Sequence, residues 1–429
     1  LDAKAPPAWS LGGRLVGRAE FKQSGGLVTG HVDGQITDLD IVHKSGQRFQ
    51  DRDVRFVAQG NYNDASRLVH IEQAEFTSAT LKCSLAGKIA ELNTQPDLQL
   101  SGRIDYDMER LSLFVRSLVG EGFRLAGRGS SPIAYQGVWG SDKAVATGKL
   151  GWSWAQVYGF QLGAGELQAS LTKGLLDVQP LTVDCNEGRL RVAPQFKFAQ
   201  EPREIAIAPG RVVDQVRLTP AMCTSLLQYI APLLAGVTTA EGRFSIDLEG
   251  FCVPHWTPTA AAGAVVYAPL NWPEAEIAGK LVVHSAQISP GYLIREIAQL
   301  LGYNNPAYLM RESAIPFRMT KGRIYHQQMD LALGDLTIRT YGSVGLDQSL
   351  SLKIEMPIPP KWQSQAVIGS VLKNQTITLP VVGYLHQPKI DHTAFDQLAK
   401  QFLQNATQNV MKNRISGQLD KLIGPLQKR

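Results

Sequence analysis

The sequence has no apolar run of about 18 residues, so no segment reads as a helix that crosses a bilayer. Charged residues are scarce at 19%, below the ~25% usual for soluble globular chains. The net charge of +5 is small for 429 residues and gives no case for nucleic acid as a partner. Four cysteines, Cys83, Cys185, Cys223 and Cys252, stand far apart with no CxxC pair, which excludes a disulfide scaffold. Neither GxSxG, nor a Walker loop, nor HExxH occurs, so the common hydrolase, nucleotide and zinc-protease signatures are missing.

Period-two alternation is what the sequence does have. Leu81-Lys82-Cys83-Ser84-Leu85 places its apolar residues on one face of a strand. Phe244, Ile246 and Leu248 repeat the pattern, as do Met329, Leu331 and Leu333, and again Leu350, Leu352, Ile354 and Met356. Sheets with one wet and one oily face are usually antiparallel. Turn signals at Asp33-Gly34, Asn186-Glu187-Gly188 and Gly334-Asp335 separate the strands. A degenerate motif of an aliphatic residue, a small residue, Gly and Lys or Arg recurs at Gly13, Gly87, Gly102, Gly127 and Gly279. Its irregular spacing fits a meander whose strands bend or bulge at glycine, not a fixed-period solenoid.

Few helices interrupt the strands. Asp107 is placed to cap a short one carrying Leu111, Phe114, Val115 and Leu118. Thr219-Pro220 and Ser289-Pro290 are start signals for two more. A last amphipathic stretch runs from about Thr393 to Leu426, basic overall through Lys400, Lys412, Arg414, Lys421, Lys428 and Arg429. Such a helix lies on a membrane or packs over a protein face. The expected organisation is a strand-repeat region over 1–215, a mixed region over 216–390 and a helical tail over 391–429. The expected fold is mainly β, a long curved antiparallel sheet forming an elongated groove, with a few short helices and that C-terminal amphipathic helix.

The second region resembles the AsmA-like C-terminal region of bacterial envelope proteins. The resemblance rests on Ser289-Pro290-Gly291-Tyr292-Leu293, Ile315-Pro316-Phe317, Gly322-Arg323-Ile324 and the pair Leu331-Ala332-Leu333 with Leu336-Thr337-Ile338. Leu352-Lys353-Ile354-Glu355-Met356-Pro357 and Leu379-Pro380-Val381-Val382-Gly383-Tyr384 complete it. It covers roughly residues 216–429, and residues 1–215 look like the strand repeats that precede this region in the family. It implies a curved β-groove lined with aliphatic side chains and a role in outer-membrane biogenesis and phospholipid movement. It also implies a periplasmic location, with an inner-membrane anchor on an N-terminal segment not present in this chain.

The resulting expectation is a non-catalytic envelope protein whose groove holds phospholipid acyl chains. The alternative is an assembly scaffold for outer-membrane proteins. Groove lining is assigned to Leu81, Cys83 and Leu85, to Phe244, Ile246 and Leu248, and to Leu331, Leu333, Leu336 and Ile338. It is also assigned to Leu350, Leu352, Ile354 and Met356. Phe395, Leu398, Phe402, Leu419, Leu422 and Leu426 are assigned to contact with a membrane surface or an envelope partner. No cofactor is expected. Cys252-Val253-Pro254-His255 has metal-like spacing but no second ligand pair near it. Asp38 with Asp40 and Asp105 with Asp107 read as solvated faces or caps. Trp152 and Trp154, two apart in one strand and so on one face, read as core aromatics, with a place along a groove or at a membrane interface as the alternative.

Overall fold

In a computed structural model the alternating segments become strands, paired antiparallel throughout and not closed into a barrel, with few short helices. The structure describes residues 9–43, 48–92, 94–119, 122–139, 141, 144–197, 204–254, 271–301, 308–310, 312–333, 336–357 and 376–390. The expected tail helix and its six contact residues, Phe395, Leu398, Phe402, Leu419, Leu422 and Leu426, lie outside these. The chain divides into two compact units. The first is formed by residues 1–216 and 247–277, the second by 217–246 and 278–429.

The first unit begins as a plain meander. Strands β1 (Trp9–Ser24), β2 (Leu27–His43), β3 (Arg48–Asn63), β4 (Leu68–Thr77), β5 (Leu81–Ala90) and β6 (Asp97–Asp107) pair in sequence order. Register slips at Gly12/Arg14, Gln59/Gly60 and Ile71/Ala74 are bulges, and bulges bend the strands that carry them. Asp33-Gly34 is no turn. It sits inside β2, and a Cβ on Gly34 would lie 2.3 Å from the Phe56 ring, so glycine is there to seat an aromatic. The turn is at Gly25-Gly26 instead. Asp107 does cap helix α1 (Met108–Val119), its Oδ1 accepting from the amides of Glu109 and Arg110.

After α1 the long strands are each broken midway. Strands β7 (Phe123–Ala126) and β8 (Arg128–Val138) part at Gly127; β9 (Val145–Trp152) and β10 (Trp154–Val157) part at Ser153. Strands β11 (Phe160–Leu162) and β12 (Gly165–Thr172) part at 163–164; β13 (Leu175–Val178) and β14 (Leu181–Cys185) part at Gln179-Pro180. Strands β15 (Gly188–Val192) and β16 (Pro194–Lys197) part at Ala193; β17 (Glu204–Ile207) and β18 (Gly210–Arg217) part at Ala208-Pro209. The halves pair separately, as β8-β9-β12-β13-β16-β17 and as β7-β10-β11-β14-β15-β18, so a crease crosses six long strands. Gly127 sits in the crease at φ 133°, where a Cβ would meet the Ser153 amide at 2.7 Å. The hairpin at Asn186-Glu187 is where the sequence placed it, with both residues at positive φ. Strand β19 (Ala240–Pro254) closes the first row, pairing with β17 through residues 251–254.

The second unit contains the start of β19 and strands β20 (Glu276–Ile288), β21 (Tyr308–Met310), β22 (Ser313–Thr320) and β23 (Arg323–Leu333). Strands β24 (Leu336–Gly345), β25 (Ser349–Pro357), β26 (Thr376–Tyr384) and β27 (Gln387–Ile390) complete its meander. Thr219 caps the helical segment 220–230 by accepting from the Met222 amide. That segment comprises helix α2 (Pro220–Met222), a π-turn (Cys223–Leu227) and helix α3 (Gln228–Ile230). Ser289 precedes helix α4 (Tyr292–Leu301), but its hydroxyl accepts from the amides of Thr238 and Thr239 and so ties a loop instead of capping the helix. Helix α3 lies on β23 and β24, and α4 lies on β27. Leu227, Leu293, Ile294, Ile315 and Leu331 are sealed in the resulting core.

Candidate functional site: an apolar sheet face

The first unit puts its apolar residues in unbroken rows across strands. One row runs Ala19, Val32, Ala58, Ala74, Leu85, Gly102, Ile133, Gly148, Ala169, Val178, each directly opposite the next. A second runs Ile71, Gly87, Leu100, Tyr135, Ala146, Leu171, Leu176, Phe196, Ile205, Val253. Together the rows span thirteen strands, which at ~4.8 Å per interval is a contour of about 58 Å. The opposite face is wet. Its row Gln35, Arg55, Thr77, Lys82, Asp105, Ser130 carries charge and hydroxyls, and Lys149 pairs with Glu166 at 3.1 Å.

Along β6, β8, β9 and β12 the apolar side is only half-buried, not sealed. Leu100, Ile104, Ile133 and Leu167 each keep part of their surface in solvent while Gln99, Arg103, Ala134 and Gln168 between them are exposed. A concavity of about 470 Å³ lies over this floor, reached by residues from Leu85 in β5 to Leu176 in β13. That volume is in the range of small-molecule sites. Its lining is mostly aliphatic, from Leu85 through Leu100, Ile133, Leu150 and Leu167 to Leu176, with Tyr135 and Trp139 at one end and Thr147 and Lys149 as its polar members. Helix α1 touches β3, β6 and β7.

The sequence-assigned lining therefore separates into two groups. Leu81, Cys83 and Leu85 lie on this half-buried face, and Leu85 lines the concavity. Phe244, Ile246, Leu331, Ile338, Leu350, Leu352, Ile354 and Met356 do not line an open surface. All are buried in the second unit, with Leu331 and Ile354 at 0% exposure. Leu248 is buried as well, and the side chains of Leu333 and Leu336 lie outside the described residues. The lining that the sequence assignment missed is Leu100, Ile104, Ile133, Leu150, Leu167 and Leu176. The alternation of Leu98-Gln99-Leu100 and Leu167-Gln168-Ala169 carried the same signal.

Reactive groups are quiet by comparison. Burial pushes the Cys185 and Cys223 thiols up to about 12, so neither forms a thiolate near neutrality. Burial also lifts Cys252, to about 11, and its hydrogen bond to Glu204, 2.7 Å away, adds to this. Burial alone would raise Glu204, but hydrogen bonds from Cys252 and Lys197 outweigh it and hold the carboxyl below the usual range. Ser245, His284 and Glu312 have the order of a nucleophile, base and acid: Ser245 Oγ is 2.9 Å from His284 Nε2, and Nδ1 is 4.0 Å from Glu312. Ser245 has 0% exposure, so no substrate reaches it, and the pair reads as a satisfied cross-strand hydrogen bond. Among the described residues no three His, Cys, Asp or Glu side chains group as metal ligands. Trp152 and Trp154 prove to lie on either side of the crease at Ser153, in β9 and β10, with Trp154 exposed.

Comparison with protein-family models, with curated proteins and with solved structures gave no match.

Proposed function

We propose that the apolar face of the first unit binds the alkyl chain of a lipid, in a non-catalytic protein of a bacterial envelope. The observation that carries this reading is the half-buried aliphatic floor beneath the 470 Å³ concavity. Monomers rarely leave an apolar surface this continuous without a partner for it. The floor also argues for an alkyl chain over a peptide strand. Its backbone amides and carbonyls are already paired in the ladder, so an extended peptide lying on it would bury its own polar groups unpartnered. Each methylene moved from water onto the floor contributes about 0.8 kcal/mol. The resemblance to the AsmA-like family supports phospholipid as the source of that chain and the periplasm as the place.

A second reading has its own observation. Strand β1 pairs only with β2 among the described residues, and Leu11, Leu15 and Phe21 on it are 64–74% exposed. A free sixteen-residue edge favours strand addition by a partner, as an assembly scaffold would use. Native mass spectrometry of the purified chain separates the two. Co-purified phospholipid, displaced by added fatty acid, supports the groove reading. Lipid-free protein that takes up no fluorescent fatty acid sinks it and leaves the edge.

A further inference from the structure

The concavity ends abruptly in the direction of the crease. On β6 the last lining residue is Ile104, on β9 it is Leu150 and on β12 it is Leu167. The next residue on the same face is Tyr106, Trp152 and Gly165 respectively. Tyr106 is buried and lies across its opposite number, Gly129, where a Cβ would come within 2.3 Å of its hydroxyl. The hydroxyl accepts the amide of Gly151 at 2.6 Å, reaching past β8 to β9. Trp152 continues the line. Its ring covers Gly165, where a Cβ would sit 2.5 Å away, and its Nε1 donates to the Gly163 carbonyl at 2.9 Å. Two rings thus lie crosswise over glycines on β8 and β12, each pinned by a hydrogen bond to backbone.

The other end differs. Tyr135 and Trp139 line it, with ring centroids 5.5 Å apart, and Trp139 is 60% exposed. Exposed indole beside an apolar channel is what a membrane–water boundary favours.

We propose that Tyr106 and Trp152 are the closed end of the concavity and fix the length of alkyl chain it accepts, with the polar end of the lipid leaving beside Trp139. This rests on the groove reading above. From Leu98 to Ile104 the floor is about 20 Å long at ~3.4 Å per residue. A chain spanning one leaflet, half of the ~30 Å hydrocarbon core, fits within that length and leaves about 5 Å.

The test uses the full chain and fatty acids carrying a photoreactive diazirine, either at the terminal carbon or beside the carboxyl group. Terminal-carbon adducts are expected at Ile104, Tyr106 or Leu150, and carboxyl-side adducts at Tyr135 or Trp139. Evenly spread or reversed adducts overturn the closed end while leaving alkyl binding intact. Absence of any adduct, together with no displacement of a fluorescent fatty acid, overturns the groove reading itself. In competition among dodecanoic, hexadecanoic and eicosanoic acids, Tyr106→Ala should shift preference toward the longest by roughly tenfold, the gain for two further buried methylenes. Tyr106→Phe keeps the ring and should keep the wild-type order. An unchanged order in a folded Tyr106→Ala protein overturns the proposal.

Discussion

Leu100→Asp tests the groove where it is most exposed to disproof. Leu100 faces the concavity from the middle of β6 and is half-buried in the free protein. Complete burial of a leucine side chain is worth 1.5–3 kcal/mol, so a half-buried one contributes about 1 kcal/mol to folding. The new carboxylate stays hydrated over an open floor, and the variant should fold with its melting temperature lowered by a few degrees. The liganded state is hit harder. A chain lying on the floor must desolvate that carboxylate or lift three or four methylenes away from it. At about 0.8 kcal/mol each, the loss is roughly 2.4–3.2 kcal/mol, about a 50- to 200-fold weaker affinity. Displacement of a fluorescent fatty acid measures this, with thermal unfolding alongside. Gln99→Asp is the control, because Gln99 is the exposed neighbour on the opposite face and should leave affinity unchanged. A folded Leu100→Asp protein that binds within twofold of wild type would refute the assignment of this face.

Leu352→Asp and Ile354→Asp, which a reading of the sequence alone picks as groove mutations, should instead unfold the second unit. Both side chains are sealed, and a buried unpaired carboxylate costs several kcal/mol; urea titration checks it. His326 should make stability depend on pH. Burial is the main cause that lowers it from 6.5 to about 4, and its Nδ1 has no hydrogen-bond partner. The unfolded chain therefore takes the proton first. The stability this neutral histidine contributes is full above pH 6.5, falls by about 2 kcal/mol by pH 5 and is lost further down to pH 4. Urea midpoints at pH 7.5 and 5 should differ, and His326→Leu should flatten the difference. Asp107→Ala removes two amide partners at the start of α1 and should cost about 1 kcal/mol, read by thermal unfolding.

The strands and most helix starts were legible because each carries a local signal. Alternation fixes which side of a strand is oily, and a cap residue before a proline fixes where a helix begins. What alternation does not encode is whether the oily side is covered. Leu81-Lys82-Cys83-Ser84-Leu85 and Leu350-Ser351-Leu352-Lys353-Ile354 read alike, yet Leu85 is half-buried and Ile354 is sealed. The difference arises from tertiary packing. The misread turn at Asp33-Gly34 has the same origin: Gly34 answers to a ring on β3, and only the register brings Phe56 over it. The π-turn was also hidden. The Thr224 hydroxyl, which bonds back to the carbonyl of Pro220, and that of Ser225, which bonds to Ala221, do so within a segment whose start signal is ordinary.

The two units solve one physical problem in different ways. A one-sided sheet must keep water from its apolar face. The second unit does so with helices, α3 over β23 and β24 and α4 over β27, and its inward residues fall to near-zero exposure. Among its described residues the first unit has one α-helix for many more strands, and it uses aromatic rings instead, set over glycines of the neighbouring strand. Phe21 covers Gly30, Phe56 covers Gly34, Tyr106 covers Gly129 and Trp152 covers Gly165. A ring seals only the patch beneath it. Between the rings the aliphatic rows stay half-exposed, and glycine, having no side chain to fill the space, deepens the floor there. The same missing side chain that admits a ring at one position leaves open space at another, as at Gly148 opposite Ile133, where a Cβ would meet nothing nearer than 3.7 Å, whereas at Gly102 it lets the backbone of β5 approach. Seal and hollow thus share one cause, the missing side chain of glycine, and the aliphatic floor between the sealing rings is the face to which the proposed alkyl chain is assigned.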